Sequence, residues 1–252
     1  MYLSLLKVNI EGDPNLPRYG RTWLKNPYHV HQRLSRAFGE MPKDAHQNRE
    51  PRADEGMHFL YRADASRIVV LSTVEPDWKR AFANASYLLA EGSTPETRPF
   101  TLPAEKGERL RFLLRANPTR KARTCLRDGR RVEIDARNGK RTVLVSDEER
   151  LLWLRRKGDC GGFSIVEDND PDFGLQILDE GWVHAWKTRP EGTTHAGSHE
   201  DGRKTGSGLS FRSVRFSGVL IVTDPIALRN TIAAGLGPAK AFGFGLLSVA
   251  RG

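Results

Sequence analysis

Cysteine is almost missing from this chain of 252 residues: Cys125 and Cys160 are the whole complement. Two thiols cannot build the disulfide framework of a small secreted domain, and no histidine stands at zinc-ribbon spacing from either. Both read as reduced thiols without function. Long apolar runs are lacking too, since none reaches the roughly 18 residues a bilayer-spanning helix needs. The stretch from Met1 to Ile10 has neither the basic opening nor the small-residue cleavage site of a secretory signal, so the expected location is the cytoplasm, with no membrane partner. Acidic charge is in short supply as well. Forty Lys and Arg face 31 Asp and Glu, a net +9 with a pI near 9.8, which favours a polyanionic partner without saying which one. With 38% hydrophobic and 28% charged residues, the chain is neither disordered nor membrane-embedded, and is long enough for one large or two small domains.

What is there is unevenly placed. Between Arg109 and Arg131 lie Arg109, Arg111, Arg115, Arg120, Lys121, Arg123, Arg127, Arg130 and Arg131 against Asp128 alone, a surplus of eight that nearly matches the whole excess. A second basic stretch, Lys187 to Arg215, carries Lys187, Arg189, Arg203, Lys204, Arg212 and Arg215 with a Gly- and His-rich middle. A flexible basic hairpin of this kind can follow an A-form backbone, which offers phosphates and 2′-hydroxyls while its deep major groove hides the bases.

The element order is read from periodicity and punctuation. Tyr2 to Ile10 alternates as a strand; Asn26 and Pro27 suit N-cap and first helical position before Val30, Leu34, Ala37, Phe38 and Met41. Strands over Met57–Ala63 and Arg67–Val74 precede a helix over Asp77–Ala90. The Pro/Gly-containing stretch 93–107, with a short possible strand at Arg98–Leu102, reads as a connection between domains 1–92 and 108–252. The second half gives a strand at Arg109–Ala116, a capping box of Ser146 and Glu149, strands at Phe163–Glu167, Leu175–Leu178, Trp182–Lys187 and Leu209–Thr223, a helix from Asp224-Pro225 to Gly235, and a closing strand at Leu246–Ala250. Both halves therefore repeat a β-α-β-β-α-β order, and the expected fold is α+β with two tandem ferredoxin-like domains.

On a wheel of about 100° per residue, Tyr28, His31 and Ser35 fall on one flank of the first helix, while His29 lies roughly 160° from His31. Tyr28 and His31 stand three residues apart, so their side chains can approach one point. A histidine gives or takes protons near neutrality and a tyrosine hydroxyl orients a neighbouring group, so the pair suits acid–base chemistry; a helix-edge histidine and an anchoring tyrosine fit the same residues. Gly235-Leu-Gly-Pro-Ala-Lys-Ala-Phe-Gly-Phe-Gly245 can bring backbone N–H groups close to a phosphate, but it matches neither the P-loop nor the dinucleotide fingerprint. His195 and His199 lack a third ligand, and Asp168-Asn-Asp170-Pro-Asp172 has Phe173 where a calcium loop needs glycine. No metal or cofactor is expected.

Together, Tyr2-Leu-Ser, Asn26-Pro-Tyr-His-Val-His31-Gln-Arg-Leu34, Glu75-Pro-Asp-Trp78, Arg109-Leu-Arg-Phe-Leu-Leu-Arg-Ala-Asn-Pro118 and the Gly235–Ser248 block resemble, in the same order and from end to end, the CasE (Cse3) family of CRISPR-associated endoribonucleases. The resemblance implies metal-independent cutting of precursor CRISPR RNA at the base of the repeat hairpin by a 2′-hydroxyl, leaving a 2′,3′-cyclic phosphate and a 5′-hydroxyl. It also implies membership of a Cascade surveillance complex. By motif match, His31 and Tyr28 are the catalytic pair. The expected RNA contacts are Lys240, Gly237, Gly243 and Gly245 of the glycine-rich block, Arg36, the basic-run residues Arg120, Lys121 and Arg123, and Lys187, Arg189, Arg203 and Lys204 of the second stretch. Trp186 departs from the family pattern, standing where a basic residue is expected. The alternative is a non-cleaving guide-RNA-binding subunit of the same superfamily, which has no need of His31.

Overall fold

The computed structural model describes residues 1–10, 18–39, 59–121, 124–127, 130–133, 141–167, 174–186 and 208–251. The first sheet joins β1 (Tyr2–Lys7), β2 (Phe59–Asp64), β3 (Arg67–Ser72) and β4 (Glu96–Pro99), all antiparallel, in the order β2-β3-β1-β4. Three helices lie between its strands: α1 (Tyr19–Leu24), α2 (Pro27–Ser35) and α3 (Trp78–Phe82). Alternation along the strands gives the sheet two apolar faces. Leu6, Phe59, Tyr61, Ile68 and Val70 pack with Trp23, Val30, Leu34, Trp78 and Phe82 of the helices. Leu60 and Leu71, on the other face, join the core of the second half, backed by Leu3 and Val69.

That second half repeats the pattern with additions. β5 (Arg109–Ala116), β10 (Phe163–Ile165), β11 (Gln176–Trp186), β12 (Gly208–Val222) and β13 (Leu247–Arg251) form one antiparallel sheet, ordered β10-β12-β5-β13 with β11 on the same side of β12 as β10. The second strand of the repeat is thus split in two. α4 (Asp147–Gly161) and α5 (Pro225–Ala234) cover one face through Trp153, Leu154, Leu228 and Ile232. Short pairs β6 (Thr119–Lys121) with β9 (Arg141–Val143), and β7 (Thr124–Arg127) with β8 (Arg130–Glu133), are inserted between β5 and α4. Both orders are those of ferredoxin-like domains, and the fold is two of them in tandem.

Several helix boundaries obey the chemistry read from the sequence. Ser146 caps α4 by accepting from Glu149 N at 3.2 Å, although Glu149 reaches back to Val145 N rather than to the capping residue itself. Asp224 caps α5 by accepting from Ile226 N and Ala227 N. Other expectations need correction. The helix expected to run to Ala90 stops at Phe82, because Asn84 is drawn off as an acceptor for Arg33 and Ala85 leaves helical geometry (φ −149°), after which Ser86–Leu88 forms a 3-10 turn. The strand expected at 98–102 starts earlier, as β4; the first sheet therefore ends at Pro99, inside the stretch read as a connection. Helix α1 was unanticipated: six residues are too few to show a period, and only Gly20 and Trp23 are buried in it. The two short strands expected at 175–178 and 182–187 are one strand, β11, with a bulge between Asp179 and Gly181. Among the described residues, no helix is long and apolar enough to cross a membrane.

Candidate active site

Helix α2 begins at the junction of the two domains. Asn26 Oδ1 accepts from Tyr28 N at 3.2 Å, and Pro27 occupies a first helical position where its missing N–H is harmless. Pro27, Val30 and Leu34 are buried, and the residues beside that stripe are half-buried, Tyr28 and His31 on one side and His29 on the other. The Tyr28 hydroxyl accepts from Gln32 Nε2 at 3.2 Å, and its ring lies 6.1 Å from that of His29. His31 leans onto β2, stacked on Phe59 (centroids 5.2 Å apart, planes at 22°) and on Tyr61 (6.5 Å, 24°).

This bed explains the electrostatics of His31. Nδ1 is sealed from solvent without a hydrogen-bond partner, and burial pushes the imidazole pKa down to about 4. The ring is therefore neutral at pH 7. Burial lowers His29 as well. Helical spacing placed Tyr28 and His31 on one flank; it carried no information about the neighbours each side chain takes.

Sequence reasoning missed Tyr61, the residue that locks the site together. Its buried hydroxyl donates to Pro27 O at 2.9 Å and lies 3.4 Å from Ala241 O, so one phenol joins α2 to the glycine-rich block. A signal existed: an inward-facing tyrosine in an alternating strand must find a polar partner when buried. The glycine-rich block folds back on the same ring. Gly243 (φ +82°) passes so close that a Cβ there would sit 3.1 Å from the Tyr61 ring, and Gly245 (φ +87°) would put a Cβ 2.7 Å from Leu236 O. Gly245 N donates to Arg115 O and its carbonyl accepts from Leu236 N, which closes the loop on β5. Gly237 lies over Trp153. Lys240 is half-buried on the 3-10 turn Lys240–Phe242, its pKa lowered by burial and by the nearby charge of Lys157.

The second domain meets α2 through β11. Asn26 Nδ2 donates to Trp186 O at 2.9 Å, and Trp186 N donates to Asn26 Oδ1 at 3.3 Å. Between them the domains leave a cavity of about 300 Å³, bounded by Pro27, Val30, Tyr61, Arg115, Trp182 and Phe242 among others. Behind β11, Glu180 accepts from Arg115, Ser213 and Arg215, and Asp179 from Arg150 and Arg212. Burial raises the Asp179 carboxyl, but its hydrogen bonds to Arg212, Gly181 N and Arg150 outweigh it and hold the pKa at about 2.

The remaining expected contacts are scattered. Arg36 is exposed just beyond α2, with its carbonyl held by Arg80 Nε. Arg120 pairs with Glu149 at 3.2 Å, and Lys121 is exposed at the end of β6. Arg123, Lys187, Arg189, Arg203 and Lys204 lie outside the described residues, as do His195, His199 and the 168–172 acidic turn. Among the described residues, no group of three or more His, Cys, Asp or Glu is placed to hold a metal ion.

Two ferredoxin-like domains meeting over a histidine-bearing helix and a glycine-rich block define the class of this molecule. The family model described as "CRISPR associated protein" matches residues 1–251. The CRISPR-associated endoribonuclease Cse3 of Thermus thermophilus is 30% identical over 99% of this chain and 100% of its own. The Cascade subunit CasE of Escherichia coli K12 is 28% identical over 91% and 94%. A solved structure of the endoribonuclease Cse3 bound to a 19-nucleotide RNA aligns over the full length of both chains, with 31% identity and a TM-score of 0.66. The chain belongs to the CasE (Cse3) family of CRISPR-associated endoribonucleases.

Proposed function

We propose that this protein cuts precursor CRISPR RNA at the base of the repeat hairpin, without metal or cofactor, in the cytoplasm and as part of a Cascade surveillance complex. The first domain supplies the chemistry and the second the grip on the duplex. The 2′-hydroxyl attacks the adjacent phosphorus; its proton goes to a base, the P–O5′ bond breaks, and the departing 5′-oxygen takes a proton, leaving a 2′,3′-cyclic phosphate and a 5′-hydroxyl. His31 is the proton carrier and Tyr28 orients the ribose. Lys240 and the glycine-rich block lie along the phosphates, and basic residues of the second domain hold the stem.

The observation that carries this reading is His31 itself: a neutral imidazole, bedded on two aromatic rings of β2, on the helix that meets β11 and the glycine-rich block. A neutral ring enters the reaction as proton acceptor, and an arriving phosphodiester raises its pKa towards neutrality by favouring the imidazolium. The likeness to a relative solved with RNA supports the same placement of substrate. The test is incubation of the purified protein with its repeat hairpin in EDTA. A single cut ending in a cyclic phosphate is expected; uncut RNA with retained binding would instead make it a guide-RNA holder.

A further inference from the structure

Asn26 is only 1% exposed, and its side-chain amide makes three polar contacts at once. Oδ1 accepts from Tyr28 N, as an N-cap does, and also from Trp186 N; Nδ2 donates to Trp186 O. An N-cap needs only the first of these. Serine, aspartate or threonine would serve it equally well, and none of them carries a separate N–H donor alongside the accepting oxygen. The other two contacts pair the amide with the backbone of Trp186 as a neighbouring strand would, across a sequence separation of 160 residues and between the two domains.

What the amide joins gives it a consequence. On one side is the first turn of α2, which carries Tyr28 and His31. On the other is the last residue of β11, the strand that leads towards the second basic stretch. Tyr61 anchors the same turn from beneath by holding Pro27 O. The turn is thus fixed to its own sheet by Tyr61 and to the opposite domain by Asn26.

We infer that Asn26 is a positioning residue for RNA cleavage, holding the catalytic turn in register with the strand end that receives the duplex. The inference rests on the assignment of His31 as the proton carrier. It follows from reach: a reacting group must sit within hydrogen-bond distance of its proton, and a displacement near 1 Å is enough to cost about 10²-fold in rate. With substrate held by one domain and imidazole by the other, any slack between the domains appears directly at the scissile ribose.

The helix cap and the clasp can be separated. Asn26→Ser keeps an acceptor for Tyr28 N but is too short to span Trp186. Asn26→Asp keeps the acceptor and the size, loses the Nδ2 donor, and sets a carboxylate oxygen against a carbonyl. The measurements are single-turnover cleavage at saturating RNA hairpin, hairpin affinity by direct binding, and thermal melting, for the full chain with His31→Ala alongside. Both Asn26 variants are expected to melt within a few degrees of wild type and bind within about threefold, yet to cut 10- to 100-fold more slowly at saturation. A saturating rate equal to wild type, with any loss confined to affinity or melting temperature, would overturn the inference and leave Asn26 a structural cap. Should His31→Ala cut at the wild-type rate, the assignment of the proton carrier fails instead, whatever the Asn26 variants do.

Discussion

The two ferredoxin-like domains share a strand order but solve burial differently. The first buries mainly aromatic and aliphatic side chains: Phe59, Tyr61, Trp78 and Phe82 fill its helix side, Trp78 Nε1 lies over Ser4 and Thr97, and Arg62, paired with Asp64, is its one buried charge among the described residues. The second threads ions through its sheet, with Asp179 and Glu180 satisfied by Arg150, Arg212, Arg115 and Arg215. A dry aromatic bed suits a neutral imidazole, because burial suppresses the cation. A framework of half-buried carboxylates suits a domain that carries many arginines, because it fixes some of them and leaves others free of it. One frame therefore beds a neutral imidazole on aromatic rings in one copy and an ion network in the other.

The sharpest way to break this contrast is His31→Ala. Cleavage should fall by about 10²- to 10⁴-fold with hairpin affinity nearly unchanged, whereas His29→Ala should leave the rate near wild type; equal losses would refute the helix-flank assignment. In the second domain the large effect should be on stability. Asp179→Ala takes the β11 carboxylate from Arg150 of α4, 3% exposed, and from Arg212, leaving Arg150 only Asp147 and Leu144 O, at a cost of about 3 kcal/mol, measurable by denaturant unfolding.

Next comes Gly245→Ala. The added Cβ meets backbone oxygen, and φ of +87° is unfavourable for alanine, so about 2 kcal/mol should be lost and the block should release from β5; unchanged unfolding would show the loop to be loosely held.

A pH series sharpens the dry-bed argument. With the folded pKa of His31 at about 4, below the unfolded value near 6.5, the unfolded chain binds the extra proton between these limits. The contribution to stability is whole above pH 6.5 and is lost as pH falls towards 4. Wild type should therefore lose melting temperature faster than His31→Phe over that window, and the acidic limb of kcat/KM should lie well below 6.5. The smallest effect belongs to Lys240→Ala, a few-fold weaker binding with a salt dependence reduced by about one phosphate contact.

How far the sequence could be read follows from where each signal resides. Caps are local chemistry, so Asn26, Ser146 and Asp224 were legible as helix starts. Most of the order of strands and helices followed from periodicity, and the placing of Tyr28 and His31 on one flank from three-residue spacing. Boundaries that depend on tertiary neighbours were not legible: α3 ends because Asn84 and Ala85 answer to other parts of the chain, and β11 runs through the break that Asp179, Glu180 and Gly181 suggest, since a bulge absorbs it. Tyr61 was overlooked for the same reason. Its two partners, Pro27 and Ala241, are 34 and 180 residues away, and no window of sequence brings them together.

The β11 bulge has a further consequence. Asp179 lies opposite Val214 and Gly181 opposite Ser213, so Glu180 is the supernumerary residue, and beyond it Trp182, His184 and Trp186 present one side while Val183 and Ala185 present the other. Removing Glu180 alone would leave every pair beyond it in place, Gly181 with Ser213 and Trp182 with Arg212, so the two sets would keep their sides. The bulge is therefore a point where the strand can shed a residue while the surface beyond it stays the right way out.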